Sequence, residues 1–171
     1  MIRTAQSKDA LAIADIYNHY ILNTHVTFEE NQVVEQTIKD RIFAYSKLPW
    51  LVFEENNLVL GYCYAVPWKP RSAYRYTLET SIYISPKHQQ KQIGKQLYSY
   101  LIHQLKENEY YSLLAGIALP NEGSIRFHEK LGFRKVGQLE QVGFKFNRWI
   151  DVGYWELNFQ KEINLPSKNL P

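Results

Sequence analysis

The stretch Thr77–Leu97, TLETSIYISPKHQQKQIGKQL, constrains this chain more than any other segment. An alternating strand ends at Ser85-Pro86, a polar turn follows, and Gly94 opens an amphipathic helix with the apolar stripe Leu97, Tyr98, Leu101, Ile102 and Leu105. A strand that turns tightly into a helix N-terminus aims unpaired amides and the positive end of the helix dipole at one point, where an anion such as phosphate binds. Period 2 along Arg75–Ile84 sets Arg75, Thr77, Glu79 and Ser81 on one face and Tyr76, Leu78, Ile82 and Ile84 on the other. A phosphate cradle with a carboxylate, Glu79, further back on the same strand points to an enzyme that uses a phosphate-bearing cofactor.

Around this unit the pattern predicts a strand at Ile2–Ala5, then a helix capped by Ser7 with Ile13, Ile16, Tyr17, Tyr20 and Ile21 on one face. A loop over Asn23–Asn31 and a helix over Val33–Lys47 follow, the latter stopped by Pro49. Trp50–Glu55 and Leu58–Val66 read as strands joined by the tight-turn pair Asn56-Asn57. Beyond the cradle come a buried-type strand at Ser112–Ala118 and a helix from Pro120-Asn121 to Leu131-Gly132. Two strands, Phe133–Leu139 and Phe144–Phe159, close the pattern. This order gives an α/β (α+β) fold, a mixed and mostly antiparallel sheet flanked by helices. One domain is expected over residues 1–160, with 161–171 as a loose tail.

Composition narrows the function. Net charge is +3 with both signs interleaved, too weak and scattered for a nucleic-acid surface. The N-terminus lacks an apolar run and no stretch is long enough for a membrane helix, so a soluble cytoplasmic protein is expected. A single cysteine, Cys63, excludes an internal disulfide and reads as buried packing. The histidines His19, His25, His88 and His103 have no metal-ligand spacing, and no metal is expected. Thirteen Tyr and four Trp imply a crowded aromatic core, an interface, or both.

Several ordered blocks carry a resemblance: IYNHY at Ile16–Tyr20, TFE at Thr27–Glu29, RSAYR at Arg71–Arg75, TLETSIYI at Thr77–Ile84, HEKLGF at His128–Phe133 and VGFKF at Val142–Phe146, followed by RWIDV at Arg148–Val152. Together they resemble the GCN5-related N-acetyltransferase (GNAT) superfamily, and within it the phosphinothricin and methionine sulfone/sulfoximine N-acetyltransferases. The resemblance implies an acetyl-CoA-dependent enzyme that acetylates the primary amine of a small amino-acid-like substrate, usually as a homodimer. Two other readings stay open: a GNAT enzyme for a peptide N-terminus or a polyamine, and a non-catalytic acyl-CoA sensor.

The family's pyrophosphate loop falls on Gln89, Gln90, Lys91, Gln92, Ile93 and Gly94, with Lys95 next to it. Gln92 stands where the family has glycine. A left-handed non-glycine residue costs on the order of 1 kcal/mol, about fivefold in cofactor affinity, so weaker CoA binding is expected. The backbone of Ile82, Tyr83 and Ile84 is expected to pair with the cofactor arm as an added strand. Asn121 and Ser124 are expected beside that arm, Asn121 doubling as a helix cap.

Glu79 matches the family acid and suits the removal of a proton from an alkyl ammonium, whose pKa is near 10; a solvent-facing strand glutamate is the plain alternative. His128 reads as a proton shuttle or sulfur partner, or as a core histidine. Arg75 and Arg71 are candidates for a substrate carboxylate, or surface ion pairs. Thr77 shares the face of Glu79, and Phe28 and Glu29 resemble a substrate lid. The aromatic C-terminal block implies a dimer interface or a buried hairpin.

Overall fold

A computed structural model describes residues 1–89 and 92–159. Its elements run β1 (Ile2–Thr4), α1 (Ala10–Asn23), α2 (Glu35–Ala44), β2 (Trp50–Glu55), β3 (Leu58–Pro67), β4 (Thr77–Ile84), α3 (Ile93–Glu107), β5 (Ser112–Ala118), α4 (Glu122–Lys130), β6 (Arg134–Lys145) and β7 (Arg148–Asn158). The seven strands form one sheet in the order β1-β2-β3-β4-β5-β7-β6. Every neighbouring pair is antiparallel except β4 and β5.

Both faces of the sheet are covered, so its central strands are apolar on both sides. Leu51 and Leu78 pack beneath Leu97, Tyr98, Leu101 and Leu105 of α3. Trp50, Val52 and Tyr62 face the opposite way, against Ile13, Tyr17 and Ile38 of α1 and α2. Tyr17, Tyr98 and Trp155 are buried, and Trp50, Tyr62 and Tyr64 stack nearly parallel.

The element order and the antiparallel bias agree with the sequence expectation, and several boundaries differ, the second helix being the shorter Glu35–Ala44. Ser7 lies within a short 3₁₀ turn, Ser7–Asp9, and a reciprocal bond pair between Gln6 and Asp9 closes the helix entry instead. Arg75 is helical (φ −57°, ψ −20°) and precedes β4, so it does not belong to the alternating face. Phe144 belongs to β6, because the reversal sits at Phe146-Asn147, where both residues have positive φ. The polar stretch after Leu139 is a bulge within β6 and not a turn. The expected tail, 161–171, lies outside the described residues.

One feature of the sheet positions everything that follows. The parallel pair β4–β5 is in register only at Thr77↔Ser112, Leu78↔Leu113 and Glu79↔Leu114. Beyond this, β4 follows β3 as far as Ile84↔Gly61, while β5 follows β7 as far as Ala118↔Val152. The two strands therefore diverge, and each leaves one backbone edge without a strand partner. Thr80 fills the apex. Its Oγ1 donates to the Leu114 carbonyl at 3.3 Å, so the buried Tyr98 hydroxyl, 2.6 Å away, donates to Thr80. Thr80→Val strands both partners in a dry site and is expected to lower stability by about 1–3 kcal/mol. Thr80→Ser should recover most of the loss in urea unfolding.

Candidate active site

Three cavities meet along the divergence of β4 and β5. The first, about 660 Å³, lies at the N-terminus of α3 and is lined by Gln89, Gln92, Ile93, Gly94, Lys95, Asn121 and Ser124 among others. The second, about 230 Å³, occupies the gap between the strands and shares Tyr20, Ile82, Asn121 and Ser124 with the first. The third, about 590 Å³, opens on the opposite face of the sheet around Glu79, and shares Val26, Ser81, Tyr83, Gly116 and Ala118 with the gap. The shared walls set the three cavities in one row across the sheet. A phosphate cradle opens at one end of the row and a carboxylate sits at the other.

At the cradle, Gln92 caps α3 in the left-handed region (φ 58°, ψ 6°), as a glycine would. This conformation belongs to the folded loop, because Ile93 starts the helix directly after it, so its cost falls on folding. Gly94 has an ordinary helical backbone: an added β-carbon there would sit 3.6 Å from Ile84 and Phe127. Gln89 donates to the Tyr20 hydroxyl at 3.3 Å, and Tyr20 donates to the Ile84 carbonyl at 2.5 Å, tying the cradle to the end of β4. Gln90 and Lys91 lie outside the described residues. The rest of the cradle suits a pyrophosphate: an α-helix N-terminus, Lys95 beside it, and a groove leading to the unpaired edge of β4 at Ile82–Ile84.

His128 sits in the gap. Rings of Tyr98, Phe127 and Phe133 meet it edge-on at 5.2–5.3 Å, and burial lowers its pKa although the Ser124 carbonyl raises it. Nδ1 is 2.8 Å from that carbonyl, so Nδ1 carries the proton and donates it there. Nε2 is left with a lone pair. The side chain is thus a neutral acceptor at pH 7. It is no ready acid for a thiolate, and that is the sense in which the sequence expectation narrows. Asn121 caps α4, accepting from the Ser124 amide at 3.1 Å.

Glu79 is half-buried, and desolvation raises its pKa against the opposing charge of Lys69. Across the β3–β4 register its neighbour Ser81 pairs with Tyr64, whose hydroxyl is bonded to it. Phe28 lines the same cleft, together with Val142, Gly143 and Phe144 of β6 and Tyr154 of β7. Thr77 lines an adjoining hollow that shares Leu139 and Tyr154 with it.

The other predicted contacts lie elsewhere. Glu29 is turned away, paired with Arg41 at 2.9 Å and accepting from the Tyr17 hydroxyl at 2.9 Å, which ties the loop to α1 and α2. Arg71 and Arg75 line a separate hollow with Lys47, Leu48 and Tyr110. Arg75 donates to the Ser72 carbonyl at 3.0 Å and lies over the Tyr76 ring. Period-2 reasoning misplaced it because the 3₁₀ turn before Thr77 rotates its side chain out of the strand series. Lys69 and Tyr64 were missed. Tyr64 was not open to detection, since its place opposite Ser81 comes from the β3–β4 register, which the Asn56-Asn57 turn between β2 and β3 does not set. Lys69 carried no signal, because it stands in an irregular loop.

The GNAT acetyltransferase domain model matches residues 2–153. The chain belongs to the GNAT acetyltransferase family. The phosphinothricin N-acetyltransferase of Streptomyces viridochromogenes is 40% identical over 160 residues, covering 93% of this chain and 87% of that protein. An L-methionine sulfoximine/L-methionine sulfone acetyltransferase of Salmonella typhimurium is 37% identical, covering 94% of this chain and 95% of the relative. Among solved structures, a GNAT superfamily phosphinothricin acetyltransferase from Sinorhizobium meliloti in complex with acetyl-CoA superposes with a TM-score of 0.94 at 31% identity, covering 99% of this chain and 94% of that one. The GNAT fold, the enzyme class and the acetyl-CoA dependence implied by the resemblance are therefore borne out. Among the described residues of this acetyltransferase, no three His, Cys, Asp or Glu side chains cluster to hold a metal.

Two outcomes follow that do not depend on turnover. The folded pKa of Glu79 lies above its unfolded one, so between them the unfolded chain binds fewer protons. The residue's contribution to stability then falls as pH rises through that window. Glu79→Gln should accordingly raise the melting temperature at about pH 7.5, with the gain fading toward about pH 4. Gln92→Gly relieves the left-handed cap and should add up to about 1 kcal/mol in chemical denaturation. A tighter CoA complex with unchanged stability would show instead that the conformation is imposed by the cofactor.

Proposed function

We propose that this enzyme transfers the acetyl group of acetyl-CoA directly to the α-amine of a small amino-acid-like acceptor, of the phosphinothricin, methionine sulfone or methionine sulfoximine type. The observation that carries the reading is the row of adjoining cavities from the α3 cradle, through the gap between β4 and β5, to Glu79 on the far face. Donor and acceptor can enter from opposite faces and meet in the sheet, and holding them together supplies much of the rate by positioning. The names of the relatives support the acceptor class.

Bound acetyl-CoA supplies a thioester carbonyl. Gln89, Gln92, Gly94 and Lys95 would hold its pyrophosphate, Ile82–Ile84 would pair with its arm, and Asn121 and Ser124 would flank it. The acceptor nitrogen arrives with three protons and leaves as an amide with one. Two protons must therefore move, the first to solvent and the second to the departing thiolate. Glu79 takes the first: burial raises its pKa and makes it a stronger base toward an ammonium than a solvent-facing carboxylate. His128, with a free lone pair at Nε2, would take the second and return it to sulfur. Phe28 roofs the acceptor cleft, and Lys69, which lines the adjoining hollow and whose charge acts on Glu79, takes over the carboxylate-binding role expected of Arg71 and Arg75.

We also infer a homodimer. β6 is an edge strand exposed along almost its whole length, and Leu139, Val142, Phe144, Phe146 and Trp149 on this hairpin are 48–60% exposed. A long apolar edge of this kind is one that proteins cover. A cytoplasmic location is in keeping with the absence, among the described residues, of a helix long and apolar enough to cross a membrane.

Free-thiol release from acetyl-CoA is expected with methionine sulfone, methionine sulfoximine or phosphinothricin as acceptor. Glu79→Gln should lower kcat by about 100-fold and flatten the acid limb of the pH profile. No turnover with any amine, alongside CoA binding by calorimetry, would instead identify a sensor.

A further inference from the structure

Three elements distant in sequence converge on the roof of the acceptor cleft. β6 and β7 lose register between Leu139↔Val152 and Gly143↔Ile150, so Glu140, Gln141 and Val142 oppose Asp151 alone. The Asp151 carboxylate braces this bulge, accepting from the Gln141 amide at 2.8 Å and from Gln138 Nε2 at 2.7 Å. Gln141 itself has φ 52°. A bulge of this kind re-aims the strand beyond it, and here that strand is Val142–Phe144, which walls the cleft.

The Phe28 ring lies directly on Gly143. A β-carbon at Gly143 would fall 2.1, 2.4 and 2.6 Å from three of its ring atoms, far inside contact distance. Two residues on, Lys145 is only 3% exposed, and its ammonium donates to the Thr27 carbonyl at 2.8 Å. A buried lysine is rare unless its head group is held, and this one holds the residue just before Phe28. Thr27 is in turn 2.8 Å from the Tyr17 hydroxyl of α1. The loop that carries Phe28 is thus hooked to the hairpin by Lys145 and laid flat on it by the missing side chain of Gly143.

We propose that Gly143 and Lys145 are positioning residues that fix the height of the acceptor cleft through Phe28, and so limit how bulky an acceptor side chain the enzyme takes. This rests on the acceptor cleft assigned above. Neither residue reaches the acetyl donor, so the effect falls on the acceptor alone. A methyl group at position 143 lifts the ring and admits larger side chains. Loss of the Lys145 hook leaves the roof in place for part of the time, which weakens acceptor binding without changing the chemistry.

The test compares unaltered enzyme, Gly143→Ala and Lys145→Met by acceptor kinetics with methionine sulfone and tryptophan, CoA calorimetry and amide hydrogen exchange. Gly143→Ala is expected to raise the ratio of kcat/KM for tryptophan over methionine sulfone by about tenfold. Lys145→Met should raise the KM for methionine sulfone while leaving kcat near its original value. Both should speed exchange in the loop 24–31 and leave CoA affinity unchanged. If Gly143→Ala does not fold, Phe28→Ala reads the same roof and should shift the ratio in the same direction. An unaltered ratio together with unaltered loop exchange would overturn the proposal. If the unaltered enzyme turns over no acceptor, it is the proposed function that fails. Loop exchange then decides the roof by itself, faster exchange supporting it and unchanged exchange overturning it.

Discussion

The whole site depends on a parallel pair of strands that stops after three residue pairs. Parallel neighbours usually run together between two layers of helices, and their backbone groups are satisfied along the full length. Here β3 and β7 each hold one member of the pair to its end, and the sheet's twist carries the two outer ladders apart. The result is a pair of backbone edges without strand partners facing each other inside a protein, an arrangement that suits the entry of something polar. Thr80 and Tyr98 close the apex, so the opening begins at a defined residue and not by fraying.

Around that opening the chemistry divides by face. The α3–α4 side supplies a helix N-terminus and a histidine kept neutral by burial among three aromatic rings, with its tautomer fixed by one carbonyl. The α1–α2 side supplies a carboxylate kept weakly acidic by burial. Both pKa shifts spring from the same cause, removal from water, and desolvation disfavours the charged form of each. Two groups that are both proton acceptors at neutral pH fit a reaction that must strip two protons from one nitrogen.

The peripheral hairpin shows how the fold can tune a site without touching the reaction. The β6 bulge, braced by Asp151, and the loop after α1, anchored through Glu29 to Arg41 and through Thr27 to Lys145, meet over the acceptor cleft. Glu29 is informative here. Read from the chain it looks like a ligand for substrate, because an acid next to an aromatic on a loop suggests recognition. In the folded protein its charge is taken up by Arg41, and its task is to hold Phe28 in place.

Local interactions decided what could be read from the chain. The alternation along Thr77–Ile84, the Asn56-Asn57 turn, the Asn121 cap and the glycine stop at Gly132 each depend on residues only a few positions apart, so element order, Glu79 on its strand face and the cradle at α3 were all legible. Tertiary structure alone decided the rest. Where β4 and β5 part is set by their outer partners, the tautomer of His128 by the Ser124 carbonyl and its burial, and the fate of Glu29 by an arginine on another helix. Arg75 left its expected face because a single 3₁₀ turn breaks the strand period, and the contact between Phe28 and Gly143 joins residues more than a hundred positions apart. Periodicity reports which way a side chain points within its own element, and it cannot report what another element brings to meet it.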